Sequence, residues 1–137
     1  MIRISLLACA ATFAAVGIAF AASPPPSAQL QLKPEHGSKI AGTATIAHVS
    51  MEPPVVDVTI VLDGVFIPEN QYPAGVYRGT CGKIGATPEY RLNPVVGGRS
   101  KTEVKPTAMK RGMYSIAVFD TTGAHTISCG VLPVMHH

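Results

Sequence analysis

Several residue types are scarce in this chain of 137 residues, and each shortage excludes a class of protein. Tryptophan is absent, aromatic residues make up only 6% of the sequence, and charged residues only 14%. The formal net charge is +3, and no cluster of lysine and arginine with interleaved aromatic residues occurs. Neutralising the phosphates of a nucleic acid requires such a cluster, so we expect no nucleic-acid partner.

The first 21 residues are typical of a signal peptide. Arg3 precedes an apolar run, and Ala19-Phe20-Ala21 ends that run with the small-x-small pattern of a cleavage site. We predict cleavage after Ala21, with Ala22 as the alternative, and therefore a periplasmic or secreted protein that meets the membrane only before cleavage. A membrane anchor is the rival interpretation, but Pro24-Pro25-Pro26 follows the run almost at once.

Cysteine is also scarce, and the predicted cleavage leaves only Cys81 and Cys129. The third cysteine, Cys9, superficially matches a lipoprotein site, but too few apolar residues precede it for the export machinery to read. Two cysteines in an oxidising compartment have one possible pairing, so we predict a disulfide. The rival interpretation is a free, reactive thiol.

Beyond a proline-rich leader at residues 22–28, apolar and polar residues alternate with a period of two. The alternation predicts strands at 30–32, 40–47 and 56–62, with turns at 34–38, 51–54 and Asp63-Gly64. Residues 65–73 are expected to form a loop. Further predicted strands are Gly75 to Cys81, Tyr90 to Leu92, Ser100 to Val104, Met113 to Asp120 and Ala124 to Val131.

No amphipathic pattern of three helical turns follows the signal peptide, and we expect at most one helical turn, at residues 106–112. We therefore predict an all-β fold, a Greek-key β-barrel or sandwich of about eight strands. A chain of this length is expected to hold one domain, which we place at residues 29–133 with a tail at 134–137.

Three segments together resemble the Cu,Zn superoxide dismutase family, and most closely its small exported bacterial relatives. Residues 128–132 (SCGVL) are similar to the closing A-C-G-V-I segment, and residues 42–46 (GTATI) to the second strand. Residues 90–100 (YRLNPVVGGRS) resemble the Y-x-L-x-x-V-V-x-G-x-S run of the bacterial relatives. The resemblance implies the barrel fold of that family and a disulfide between Cys81 and Cys129.

The same resemblance implies where metal ligands would stand, and this chain lacks them. Gly75 and Tyr77 occupy the positions of the H-x-H pair, and Phe119 that of a later histidine. Glycine and phenylalanine offer no donor atom, and a neutral tyrosine is a poor substitute for imidazole. The segment between Cys81 and Ser100, which would form the zinc loop, contains no histidine and one acid, Glu89.

The family's substrate-guiding arginine is replaced by Thr126. Dismutation needs a redox-active metal with an open position, so we expect no such activity, no cofactor and no enzyme. Hydrolase chemistry has no supporting constellation: Ser128 is interpreted as a strand residue, and Asp57 and Glu103 would be paired carboxylates only by accident of the fold.

Two binding hypotheses remain. Tyr77 and Arg78 on the former metal strand could bind a small anion or a partner carboxylate if they face a cleft. The terminal His136 and His137 could bind copper or zinc weakly, with His48 or His125 as further candidates, although such residues are more often merely solvated. The sequence thus favours an exported, non-catalytic domain with a structural or protein-interaction role, its partner an unknown protein or cell-envelope component. The alternative is a weak copper- or zinc-binding protein.

Overall fold

The computed structural model describes residues 27–106 and 112–132. The predicted signal peptide, most of the leader, the expected helical turn and the histidine tail lie outside these residues. Eight strands cover most of the described chain: β1 Ser27–Pro34, β2 Ile40–Met51, β3 Pro54–Gly64, β4 Gln71–Arg78, β5 Tyr90–Val96, β6 Arg99–Val104, β7 Tyr114–Phe119 and β8 Thr126–Val131.

The strands form a closed antiparallel barrel in the order β1-β2-β3-β6-β5-β4-β7-β8. Strands β4, β5 and β6 follow one another as hairpins, whereas β3 lies beside β6 and β7 lies beside β4. The order β6-β5-β4-β7, in which three consecutive strands are followed by a fourth that lies beside the first of them, is the Greek-key arrangement. The all-β class and the eight strands expected from the sequence are confirmed.

Alternation explains which side chains form the core. In β3, Val56, Val58, Ile60 and Leu62 are buried, and the residues between them face outwards. Successive strand residues point to opposite faces of a sheet, so one apolar series from each strand fills the barrel. Gly42 on β2 lets that strand approach β3, because a Cβ atom there would lie 2.6 Å from the Val61 carbonyl oxygen.

Several predicted boundaries are wrong, and the first concerns the fourth strand. The fourth strand begins at Gln71 rather than Gly75 and ends at Arg78, so Cys81 lies beyond it. Pro73 suggested a loop, but it sits where the register with β5 shifts between Tyr72 and Ala74. A strand tolerates proline at such an irregularity because no ladder hydrogen bond is lost there.

The second wrong boundary concerns the leader, whose last two residues already pair with β2: Ser27 lies opposite Ala47, and Ala28 opposite Ile46. The predicted turn at Asp63-Gly64 is instead the end of β3.

Residues 27–106 and 112–132 contain no helix that is long and apolar enough to cross a membrane.

Candidate functional site

The outer face of β4, β7 and β8 is covered by the segment that follows β4, residues 79–89, which we call the disulfide loop. Ser115 and Ala117 on β7 alternate with the core residues Ile116 and Val118, yet both are fully buried. The Ser115 hydroxyl donates to the Gly79 carbonyl at 2.7 Å. A second layer therefore lies outside the barrel wall at this point.

The disulfide between Cys81 and Cys129 attaches this loop to β8, with 5.9 Å between the Cα atoms. Cys129 lies opposite Ala117 of β7, on the same outer face. The predicted pairing is confirmed. The sulfur atoms and the Glu35 carboxylate form a group of three potential ligands within 4.8 Å, but the disulfide leaves neither sulfur as a thiolate to bind a metal.

The three positions that the resemblance assigns to copper ligands lie together on this face. The rings of Tyr77 and Phe119 meet in an edge contact with centroids 5.3 Å apart. A Cβ atom at Gly75 would lie 2.9 Å from Cε2 of Tyr77 and 3.3 Å from Cβ of Pro88. The Tyr77 ring therefore rests over Gly75, in the space that a side chain at position 75 would need.

This trio does not fit a copper ion. Its members offer one phenolic oxygen and no imidazole, and copper in such sites requires several nitrogen donors. Burial raises the pKa of the Tyr77 phenol above its ordinary value of 10.0, although the Arg91 charge opposes that rise. The phenol is therefore neutral at physiological pH, which makes it a poorer ligand still.

A cleft of about 370 Å³ opens beside Tyr77 on the outer face of β4 and β5. Its lining combines one aromatic ring, one guanidinium and several rigid apolar residues: Pro73, Ala74, Tyr77, Pro88, Arg91, Leu92 and Pro94. Gly75 lies opposite Arg91 in the β4 to β5 register, which places Tyr77 and Arg91 on neighbouring strands. The cleft can stack a flat or rigid group and pair it with an anion.

The sequence suggested that Tyr77 and Arg78 could bind an anion if they faced a cleft, and of these two residues only Tyr77 lines the cleft. Arg78 is exposed at the end of β4 and is not part of the lining, whereas Arg91 is. Alternation along residues 90–94 could have placed Arg91 on the outer face. Only the register between β4 and β5 brings it beside Tyr77.

The three histidines in the described part of the chain lie at opposite ends of the barrel. His36 and His125 are close, with ring centroids 6.0 Å apart. His48 lies near the far end of β2, partly buried, and its Nδ1 atom has no hydrogen-bond partner among the described residues. His136 and His137 lie outside the described residues.

The remaining candidate residues, Ser128 and the carboxylates of Asp57 and Glu103, make contacts that stabilise the barrel or lie on its surface. The Ser128 hydroxyl is fully buried and donates to the Lys33 carbonyl at 3.4 Å, which makes it a strand residue rather than a nucleophile. Asp57 and Glu103 are directly opposite each other on β3 and β6. Lys101 forms an ion pair with Asp57 at 3.6 Å, so this carboxylate pair is part of an exposed charged row.

Comparison with known proteins finds no matching protein family, no matching curated protein and no matching solved structure.

Proposed function

We propose that this chain is an exported, non-catalytic domain that binds a protein partner through the cleft beside Tyr77. The observation that carries this proposal is the Tyr77 ring, which lies over Gly75 and against Phe119 and forms one wall of that cleft. We further propose that the scaffold is related to Cu,Zn superoxide dismutases. The segments at 42–46, 90–100 and 128–132 support that relationship.

The absence of imidazole from the trio supports a non-catalytic role. Each of the three residues lacks an imidazole and contributes to packing, because glycine makes room for the tyrosine ring and phenylalanine contacts its edge. Aromatic pairs in this geometry are worth about 1 kcal/mol beyond the area they bury. The three residues thus stabilise one another without a metal.

The composition of the cleft supports a peptide as the partner. Aromatic side chains line the grooves that bind extended proline-rich segments, and such segments have little conformational entropy to lose on binding. Arg91 adds a cation beside the ring, and a guanidinium pairs well with a carboxylate. The occupant we propose is an extended, proline-containing segment of a protein with an acidic residue.

Peptide binding is tested with two blocked proline heptapeptides, one with a central glutamate and one with a central lysine, titrated into ¹⁵N-labelled protein. We expect amide shifts to change at β4 and β5 with the glutamate peptide and much less with the lysine peptide. Arg91→Gln should weaken binding of the glutamate peptide about tenfold, the value of one charge-assisted hydrogen bond. Arg99→Gln is the matched control, because it removes the same charge from β6.

Two results would overturn the cleft as a binding site. One is a set of shift changes confined to another face of the barrel. The other is an equal loss of affinity in the Arg91 and Arg99 variants, which would mean that only net charge matters.

Export is tested separately, by N-terminal sequencing of the protein recovered from the periplasmic fraction of a bacterial host. The proposal expects the sequence to begin at Ala22 or Ser23. A chain that keeps residues 1–21 and stays in the cytoplasm would contradict it.

A further inference from the structure

The closure of the barrel between β1 and β8 brings two histidines together that are far apart in the sequence. Lys33 lies opposite Cys129 and Pro34 opposite Ser128. The pairing continues beyond the strand, because the Glu35 amide donates to the Ile127 carbonyl at 3.0 Å. The next residues on the two sides are His36 and Thr126. His36 therefore contacts Thr126, which directly follows His125 in the sequence.

The tautomer of His36 is determined by its hydrogen bond. Its Nδ1 atom lies 2.9 Å from the Thr126 carbonyl oxygen, which can only accept. Nδ1 therefore carries the proton in the neutral ring, and Nε2 keeps its lone pair. Metal-binding histidines commonly show this arrangement, in which a carbonyl fixes the ring and leaves the other nitrogen to bind.

The backbone holds His36 in an uncommon conformation. Its φ is 53°, and Gly37 follows with a φ of 74°. Outside glycine, positive φ angles are uncommon, and histidine is one of the residue types enriched among the exceptions. The turn projects the ring towards β8 instead of into solvent alone, where it meets His125.

The separation of the two rings suits a shared ion. Metal–nitrogen bonds of about 2.0–2.1 Å place the centroids of two imidazoles on one ion roughly 4.5 to 6.5 Å apart. The observed separation of 6.0 Å falls within that interval. Both side chains are exposed, so water can complete the coordination shell. The neighbouring Asp120 carboxylate adds negative charge near His125.

We propose that His36, through Nε2, and His125 bind one divalent cation of the borderline class, Cu²⁺ or Zn²⁺, at this end of the barrel. Imidazole nitrogens suit these ions, whereas Mg²⁺ and Ca²⁺ prefer oxygen. The site is separate from the cleft and does not depend on the proposed peptide-binding function. His48 cannot join it, because the eight residue steps of β2 from Ile40 to His48 span about 26 Å.

The test uses Cu²⁺ alone, added to the ¹⁵N-labelled full chain that carries His136→Ala and His137→Ala. Removing the tail imidazoles isolates the barrel histidines. Paramagnetic broadening should be strongest at the amides of residues 35–38 and 124–126. Calorimetric titration of the same protein should show one Cu²⁺ ion per chain.

Two variants then separate the proposed ligands from the rest of the chain. His36→Asn keeps a residue that tolerates positive φ, and His125→Gln keeps a polar side chain. Each should weaken Cu²⁺ binding about tenfold or more, since even residues that only orient a metal ligand have effects of that size. His48→Gln is the control and should bind as the parent does.

The proposal is overturned if broadening centres on another part of the barrel, if His36→Asn and His125→Gln bind Cu²⁺ as tightly as the parent, or if no binding is detected. The unchanged ¹⁵N spectrum of each variant without metal confirms that the barrel is intact.

Discussion

At the residue scale, Gly75 is the position whose missing side chain determines how Tyr77 packs. A glycine in a strand interior normally weakens the fold, because its backbone has more freedom to lose than that of any other residue. Here the missing side chain makes room for Tyr77, whose Cε2 atom would lie 2.9 Å from a Cβ atom. The cost of the glycine is offset by the ring that covers it.

The double-mutant cycle of Gly75→Ala and Tyr77→Ala measures this exchange. In the parent, alanine at position 75 crowds the tyrosine ring and the Tyr90 carbonyl, so the usual gain of about 0.5–1 kcal/mol from replacing glycine should be lost. In the Tyr77→Ala background most of the gain should return, because only the looser 3.3 Å contacts with Pro88 and the Tyr90 carbonyl remain. Urea denaturation of the four proteins should give a coupling free energy of about 1 kcal/mol. A coupling near zero would mean that the ring does not depend on Gly75.

The ionisation of Tyr77 gives a second prediction at this scale. Burial raises the pKa of the phenol above 10.0, and the Arg91 charge lowers it. NMR titration of the ¹³Cζ signal should therefore show Tyr77 ionising above pH 10, and Arg91→Gln should raise its pKa further. A pKa at or below 10 in the parent would contradict the packing we describe.

The same shift has a consequence for stability. Because the pKa is higher in the folded state than in the unfolded chain, the unfolded chain releases its proton first as the pH rises. The contribution of Tyr77 to stability is thus complete below pH 10 and is lost as the pH rises through the folded-state pKa. Tyr77→Phe should remove this part of the alkaline dependence.

At the scale of the element, the pairing of strands determines which charged side chains face each other. Asp57 on β3 lies directly opposite Glu103 on β6, and like charges at such positions are unfavourable. Lys101 pairs with Asp57 and compensates part of the repulsion. The juxtaposition follows from the register, which no single strand shows.

Replacing Glu103 by glutamine should therefore raise the free energy of unfolding by a few tenths of a kcal/mol. Glu89→Gln, in the disulfide loop, is the matched control and should have a smaller effect. Because the interaction is exposed, 1 M salt should remove most of the difference between Glu103→Gln and the parent. Destabilisation by Glu103→Gln would show that the carboxylate makes a favourable contact instead.

Alternation of apolar residues was sufficient to predict most elements, and it is clearest in β2 and β3, which each bury one series of side chains. Strands β7 and β8 bury residues on both faces, because the disulfide loop covers their outer face. It failed at β4, where Pro73 suggested a loop although the strand passes through it at an irregularity. The cleft depends on the pairing of β4 with β5, and the histidine pair depends on the pairing of β1 with β8. Local patterns carry no information about which strands become neighbours or in what register, so Arg91 and His36 were missed.

At the scale of the whole molecule, the disulfide holds the outer layer on the barrel. It joins residues 48 apart in the sequence, and closing a loop of that length stabilises the fold by about 4 kcal/mol in the chain-entropy model. The double variant Cys81→Ser, Cys129→Ser should lower the free energy of unfolding by roughly this amount. A change below about 1 kcal/mol would indicate that the loop is held mainly by its packing.

The outer face of the barrel around Tyr77 carries the proposal that this domain is non-catalytic. In the proposed relationship to superoxide dismutases, the copper-bearing face corresponds to one that here holds a tyrosine ring over a glycine, beside a phenylalanine. These three residues offer no imidazole, so we propose that this face binds a partner through the cleft and carries no copper site. The exposed histidines at the end of the barrel lie on another surface. They remain available for the weak ion binding proposed above.

The most direct measurement is superoxide dismutation by purified protein that has been loaded with copper and zinc and then passed through a desalting column in EDTA, which strips weakly held ions. The account predicts no retained copper and a rate no higher than that of the buffer. One retained copper ion per chain, with a dismutation rate proportional to that copper, would contradict it.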